Sequence, residues 1–273
     1  MSPMNTLIRR AALGVFVLLA ATAARAQLSA AQAEQLMKLS GGWSQIASMV
    51  PQMRESFDEG LSKVDKELPA GVREKAKAEA ARTFTADRLR ATARKTLAEG
   101  VRAGTVPELL AWYQSEKGRR VTQAEERAAE EDARTDQETR TRAGVAVLTA
   151  ATPERRQVLQ RVVEVTRAGD ATTDVVINLG LAVASSLSRL TGKPPAMNET
   201  QLRAELEGQR PQMVRAFEGL ALANAALVYK DLPDELVADY VKFMAGAAGD
   251  HFNDLTNRSV EAALLEAFSA IGR

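Results

Sequence analysis

The apolar residues of this chain recur at helical spacing from Leu28 onward, and this periodicity is the strongest constraint on its fold. No long stretch alternates apolar and polar residues with a period of two, which is the pattern of a half-buried β-strand. Alanine, leucine, glutamate, lysine and arginine dominate, and these residues favour helix. The sequence therefore predicts an all-α fold.

Residues 1–26 have the features of a secretory signal peptide. A basic start at Arg9-Arg10 is followed by an apolar run over residues 11–24 and by a small-x-small cleavage site. We therefore expect cleavage near Ala26 and a mature protein in the bacterial periplasm. The absence of cysteine fits an oxidising compartment in which the protein does without disulfides.

The charge of the mature chain argues against two classes of partner. The segment 1–26 contains three of the 36 Lys and Arg residues and none of the 35 acidic residues, so the mature chain carries a net charge of −2. Such a chain has no electrostatic attraction to nucleic acid or anionic lipid. Its most apolar stretch, Asp174 to Leu190, contains Asn178 and is bracketed by charges. We expect a buried core helix there and no membrane span in the mature chain.

Two parts of the chain share a set of landmarks. Each opens with a predicted helix cap, at Ser29 and at Thr152, and each closes with a helix whose cap we place at Thr105 and at Asp231. The first pair of caps is 76 residues apart and the second pair 79. We interpret the chain as two tandem multi-helix units.

The stretch between the units is strongly charged and has no large apolar residue between Val121 and Val145. Its acidic and basic residues are spaced to pair across one helical turn, as in Glu138 and Arg142, and each such pair is worth ~0.2–0.5 kcal/mol. We predict a long charged helix that joins the units, with a partner-binding helix as the alternative. The predicted organisation is a signal peptide at 1–26, a first helical unit at 27–122, a charged helical linker at 123–144 and a second helical unit at 145–273.

An aromatic-x-x-small-x-x-Gly motif follows the last predicted cap of each unit. It begins at Trp112 in the first unit and at Phe243 in the second, and it ends at Gly118 and Gly249. We expect Gly118 to interrupt its helix. The aromatic pair Trp112-Tyr113 could bind a sugar or a peptide, but with 12 aromatic residues in the chain we expect it to fill the core.

The run Glu-Leu-Leu-Ala-Trp-Tyr-x-Ser-x-x-Gly resembles the signature of a bacterial secreted helical family known as domain of unknown function 2059. In that family an acidic-Leu cap precedes an aromatic pair, then Ser-Pro, then a glycine and a basic-apolar end. Glu116 stands at the position of the proline, and the second copy lacks the tyrosine, serine and proline. The resemblance implies an all-α envelope protein and brings no activity with it. The matching residues are Glu108, Leu109, Trp112, Tyr113, Ser115, Gly118, Arg119 and Val121, and in the second copy Glu235, Leu236, Phe243 and Gly249.

The side chains needed for several chemistries are missing from the chain. His251 is the only histidine and there is no cysteine, which excludes cysteine nucleophiles and thiolate or multi-histidine metal sites. We expect His251 to make a local hydrogen bond on the side of its helix. The sequence contains no phosphate-binding loop or dinucleotide fingerprint. It therefore predicts no catalytic, cofactor-binding or metal-binding residue.

The resulting hypothesis is a periplasmic, non-enzymatic protein that binds another envelope protein or acts as a scaffold, with its oligomeric state left open. One alternative is an envelope glycan hydrolase with two carboxylates, which needs a pocket with carboxyl groups ~5–9.5 Å apart. We expect the acidic residues to lie on exposed helix faces instead. Another alternative is a chaperone-like holdase, which needs a large exposed apolar groove.

Overall fold

The computed structural model describes residues 28–64, 68, 71–132, 134–194 and 197–272, and the predicted signal peptide lies outside these residues. The described residues form helices and turns without a strand, which confirms the all-α prediction. A short 3-10 helix, Ala103–Thr105, precedes the fifth α-helix. The α-helices are α1 (Ala30–Leu39), α2 (Gly42–Val64), α3 (Val72–Thr83), α4 (Ala86–Gly100), α5 (Val106–Gln114), α6 (Glu116–Asp132), α7 (Gln137–Ala150), α8 (Pro153–Thr166), α9 (Ala168–Thr191), α10 (Glu199–Val228), α11 (Asp234–Met244) and α12 (Ala247–Ser269).

The predicted caps that open the two units are confirmed. The Ser29 hydroxyl accepts a hydrogen bond from the backbone N–H of Gln32 at 3.2 Å, and α1 follows. The Thr152 hydroxyl accepts one from the backbone N–H of Arg155 at 3.2 Å, and α8 follows. Each hydroxyl satisfies an amide that has no partner inside its helix.

Of the two later caps, Thr105 is at the predicted position before α5 but its side chain does not cap the helix, and the cap at Asp231 is wrong. The Thr105 hydroxyl donates to the carbonyl of Arg102 at 2.8 Å, because the 3-10 helix already places Thr105 in a helical conformation. In the second half α11 begins only at Asp234, after Pro233 and without a side-chain cap, so Asp231 lies outside the helix.

The helix interruption lies at the small residue of each motif and not at the glycine. Ser115 separates α5 from α6 with φ −66° and ψ 160°, and Gly246 separates α11 from α12 with φ −73° and ψ 158°. Gly118 and Gly249 lie in the first turn of the following helix. The expectation that Gly118 interrupts a helix is therefore wrong.

Helices from both predicted units contribute to one hydrophobic core. Helix α12 packs along α4 at Gly100, where an added Cβ would lie 2.4 Å from a methyl group of Leu255. The rings of Phe57, Phe84 and Phe268 also meet in this core, with centroids 4.8–6.5 Å apart. The described residues of both units thus share a core, and the tandem duplication stays a prediction.

The described residues do not confirm the predicted long charged helix over residues 123–144. Helix α6 ends at Asp132, and α7 begins after Asp136, whose carboxylate accepts from the backbone N–H of Thr139 at 2.9 Å. The segment is not a solvated connector either, because α7 packs closely on α10. A Cβ at Gly144 would lie 2.4 Å from the carbonyl oxygen of Ala223.

Helix α9 is the one described helix that is long and apolar enough to cross a membrane by length and composition. In its most apolar window, 22% of the residues are buried. These include Thr173, Ile177 and Leu181, which lie four residues apart and form one stripe. The expectation of a buried core helix is therefore right for one face of α9 only, and the absence of a membrane span stays a prediction.

Candidate functional site

A cleft of about 420 Å³ opens among α2, α6, α8, α10 and α11, and we call it the Glu125 cleft. Its walls are mostly small or apolar, and its volume is in the range of small-molecule sites, which run from roughly 300 to 1,000 Å³. Eight of the seventeen lining side chains are polar. They are Gln45, Ser48, Glu125, Asp132, Thr166, Asn224, Tyr229 and Tyr240.

Helix α6 brings Glu125 into the cleft because this residue continues the buried stripe of the helix. Gly118, Val121 and Thr122 are buried, and Glu125 follows three residues later on the same face. The residue is half-buried. Burial raises the pKa of the Glu125 carboxyl to about 7, although hydrogen bonds from Tyr229 and Tyr240 oppose the shift. Near neutral pH this carboxyl can therefore both hold and release a proton.

All three tyrosines of the chain surround this carboxyl. The hydroxyl of Tyr229 donates to Oε1 of Glu125 at 2.6 Å. The ring of Tyr240 lies beside that of Tyr229, with centroids 6.0 Å apart. Tyr113 is buried, and its phenol pKa is raised by burial and by the negative charge of Glu125. The three phenols therefore stay neutral, and that of Tyr229 donates a hydrogen bond to Glu125.

Arg155 of α8 fixes the chain that carries Tyr229. Its guanidinium donates to the carbonyl of Tyr229, to the carbonyl of Leu232 at 3.1 Å, and to the Asp234 carboxylate at 2.5 Å. These bonds join the end of α10 to the start of α11. The position of the Tyr229 hydroxyl therefore depends on α8 as well as on α10.

The aromatic residues of the two motifs support Tyr240 from behind. The ring of Trp112 stacks on that of Phe243 with centroids 4.6 Å apart, and on that of Tyr240 with centroids 6.2 Å apart. Tyr113 also contacts the edge of Phe243, with centroids 5.6 Å apart. Trp112 and Tyr113 thus pack in the core, as predicted, and Trp112 supports Tyr240, which lines the cleft.

The second carboxylate of the cleft, Asp132, is already paired. It forms an ion pair with Arg140, whose guanidinium also donates to Asn224 Oδ1 at 2.6 Å and to the carbonyl of Ala128 at 2.9 Å. Burial raises the pKa of Asp132, and the charge of Arg140 opposes this shift. The described residues that line the cleft include no lysine, arginine or histidine. Glu125 therefore faces neutral phenols and no cation from the lining.

His251 lies outside the cleft. Its Nε2 is 3.3 Å from the backbone nitrogen of Arg102 and 3.1 Å from the carbonyl oxygen of Gly100. We expected a local hydrogen bond, and this expectation is wrong. The contact of His251 joins α12 to the end of α4. Among the described residues no group of three or more His, Cys, Asp or Glu side chains could hold a metal ion.

The sequence prediction missed Glu125 because it placed the acidic residues on exposed faces. After Val121 the buried face of α6 contains alanine and carboxylates and no large apolar side chain, so its composition is typical of a solvated helix. A usable signal was present. Glu125 and Asp132 continue the three- and four-residue spacing that starts at Gly118.

Comparison of the chain with protein-family models, curated proteins and solved structures finds no match. The resemblance to domain of unknown function 2059 therefore stays a prediction from the residues that match its signature. The function of the cleft has to be inferred from its own geometry.

Proposed function

We propose that the protein is a non-enzymatic binding protein of the bacterial periplasm, and that the Glu125 cleft is its binding site. The observation that carries this proposal is the half-buried Glu125 carboxyl, hydrogen-bonded to Tyr229 in a cleft of about 420 Å³ whose other walls include apolar side chains. An ionisable group in such surroundings lowers the stability of the fold, which favours a role in binding over a role in packing. The periplasmic location rests on the features of residues 1–26.

A hydrolase with paired carboxylates is supported less well by this geometry. Glu125 and Asp132 are seven residues apart on α6, a rise of about 10.5 Å along the helix axis. Glycoside hydrolysis needs two carboxyl groups roughly 5–9.5 Å apart, and both of them must be available to the substrate. Asp132 is also engaged by Arg140, so the cleft offers one available carboxyl where the reaction needs two.

A holdase is supported less well too. The large apolar residues exposed among the described residues are Val145, Val176, Met197 and Leu220, which belong to three helices and one loop. Single exposed apolar side chains are normal on protein surfaces. They do not provide the extended groove that an unfolded client requires.

Photo-crosslinking in living cells tests the proposed site. A benzophenone amino acid replaces Ala129, which lines the cleft, and in a matched control it replaces Ala204, which is exposed on α10. We expect a discrete adduct from position 129 and none from position 204, detected by the intact mass of the purified protein. Absence of an adduct at both positions, or the same adducts at both, would refute the proposal.

A further inference from the structure

The charge inside the Glu125 cleft is one-sided. Two carboxylates line it, and no cationic side chain does among the described lining residues. The charge of Asp132 is balanced by Arg140, which lies beside the cleft. Glu125 accepts a hydrogen bond from the neutral hydroxyl of Tyr229, which brings no opposite charge. A bound cation would supply the opposite charge that Glu125 lacks, and it would favour the ionised carboxylate.

The remaining surface of the cleft suits a cation with an attached hydrocarbon. The rings of Tyr229 and Tyr240 flank the carboxyl, and aromatic faces attract cations within about 6 Å. Met49, Val162 and Val228 also line the cleft, and they offer apolar surface to a short carbon chain. An anion would meet Glu125 with like charge, and a neutral sugar would leave its charge uncompensated.

Resting on the proposed function, we infer that the Glu125 cleft binds an alkylammonium group, with the ammonium paired to Glu125 and its carbon chain on the apolar wall. The same group can come from a free small amine or from a lysine side chain of a partner protein. The two sources share the contact with Glu125 and differ in what surrounds it.

Calorimetric titration of the mature protein at pH 8 tests the ligand class. The probes are n-butylammonium chloride, a blocked tripeptide with a central lysine, and n-butanol as the uncharged control. We expect saturable binding of both ammonium probes and no binding of butanol. A peptide bound at least tenfold more tightly than butylammonium assigns the ligand to a protein partner, and comparable or weaker peptide binding assigns it to a free amine.

Two adjacent carboxylates of α6 provide matched variants. Glu125→Gln removes the charge and keeps an acceptor for Tyr229, whereas Glu126 does not line the cleft and accepts from the Ser44 hydroxyl at 3.0 Å. We expect Glu125→Gln to lose at least tenfold in ammonium affinity, Glu126→Gln to match the wild type, and Glu125→Asp to retain part of the affinity. Thermal melts verify that each variant is folded.

Absence of ammonium binding, or equal affinities of Glu125→Gln and Glu126→Gln, would overturn the inference. Its failure is distinguishable from failure of the proposed function. If position 129 still crosslinks a discrete species while ammonium probes do not bind, the cleft is a binding site for another class of ligand. If position 129 crosslinks nothing, the proposed site itself is wrong.

Discussion

Trp112 stacks on Phe243 with ring centroids 4.6 Å apart and ring planes within 7° of parallel. These are the two aromatic residues that begin the predicted motifs, so the motifs meet each other inside the core. The glycine that ends each motif approaches the carbonyl of its own aromatic residue. A Cβ at Gly118 would lie 2.1 Å from the carbonyl oxygen of Trp112, and one at Gly249 would lie 2.2 Å from that of Phe243.

Replacing Gly118 with alanine should destabilise the protein. The added methyl group would contact backbone atoms of α5, which cannot move away without disturbing the Trp112 stack, so we expect a loss of about 1–3 kcal/mol in the free energy of unfolding. Urea denaturation measures it. Gly219 of α10 is the control because an added Cβ meets nothing within 4 Å there, and Gly219→Ala should gain about 1 kcal/mol. Equal stabilities of the two variants would be inconsistent with a close contact at Gly118.

Arg155 should stabilise the fold far more than its neighbour Arg156. Replacing Arg155 with alanine removes the donors to Tyr229, Leu232 and Asp234, and we expect a loss of about 2–3 kcal/mol in the free energy of unfolding. Arg156 is exposed on the same helix, and its replacement should change stability by less than about 0.5 kcal/mol. Chemical denaturation of both variants checks this difference, and similar losses would argue that Arg155 does not hold the α10–α11 connection.

The ion pair of Arg140 and Asp132 should also be important for stability. Arg140 is 7% exposed, and its removal leaves the partly buried Asp132 without a counter-charge, so Arg140→Ala should lose about 3 kcal/mol. Arg142, two residues after Arg140, forms an exposed ion pair with Glu138. Arg142→Ala should therefore lose at most about 0.5 kcal/mol in the free energy of unfolding. If thermal and urea unfolding give the same stability for both variants, the pair at Asp132 is no stronger than a surface contact.

The titratable groups around Glu125 come from four parts of the chain. The pKa values of Tyr113 of α5, Tyr229 after α10 and Tyr240 of α11 are all raised, so these phenols stay neutral between pH 5 and pH 8. Glu126 of α6 adds a small upward contribution to the pKa of Glu125. Asp132 lies two turns away beside Arg140. The cleft residues contributed by α2 and α8 do not titrate; they are Gln45, Ser48, Met49, Val162, Val163 and Thr166.

Stability should fall with rising pH because of Glu125. Its pKa is about 7 in the folded protein against an ordinary value of 4.5, so the folded state holds the proton over a range in which the unfolded chain has lost it. The free energy of unfolding therefore decreases as the pH rises from about 4.5 to 7. Between pH 5 and pH 8 the wild type should lose about 2 kcal/mol more than Glu125→Gln.

Urea denaturation at pH 5, 6, 7 and 8 measures this difference, and Glu126→Gln should retain most of the wild-type pH dependence because burial, not Glu126, is the main cause of the raised pKa. Parallel pH profiles for the wild type and Glu125→Gln would show that the pKa of Glu125 is not raised in the folded state.

The features that could be predicted from the sequence depend on neighbours along the chain. The helices and the caps at Ser29 and Thr152 depend on residues within one turn. The pairing of α4 with α12 depends on residues more than a hundred positions apart, and the spacing of apolar residues does not identify which helices meet. Glu125 was missed for the same reason, because the buried face of α6 is defined by contacts with α10 and α11 and not by its own composition.

Native mass spectrometry of protein released gently from the cells that produce it tests the central claim, that the Glu125 cleft is a binding site, most directly. The wild type and Glu126→Gln should carry a bound species of the same added mass, and Glu125→Gln should have the mass of the chain alone. A wild type without added mass, or the same added mass on all three proteins, would contradict the assignment of the site.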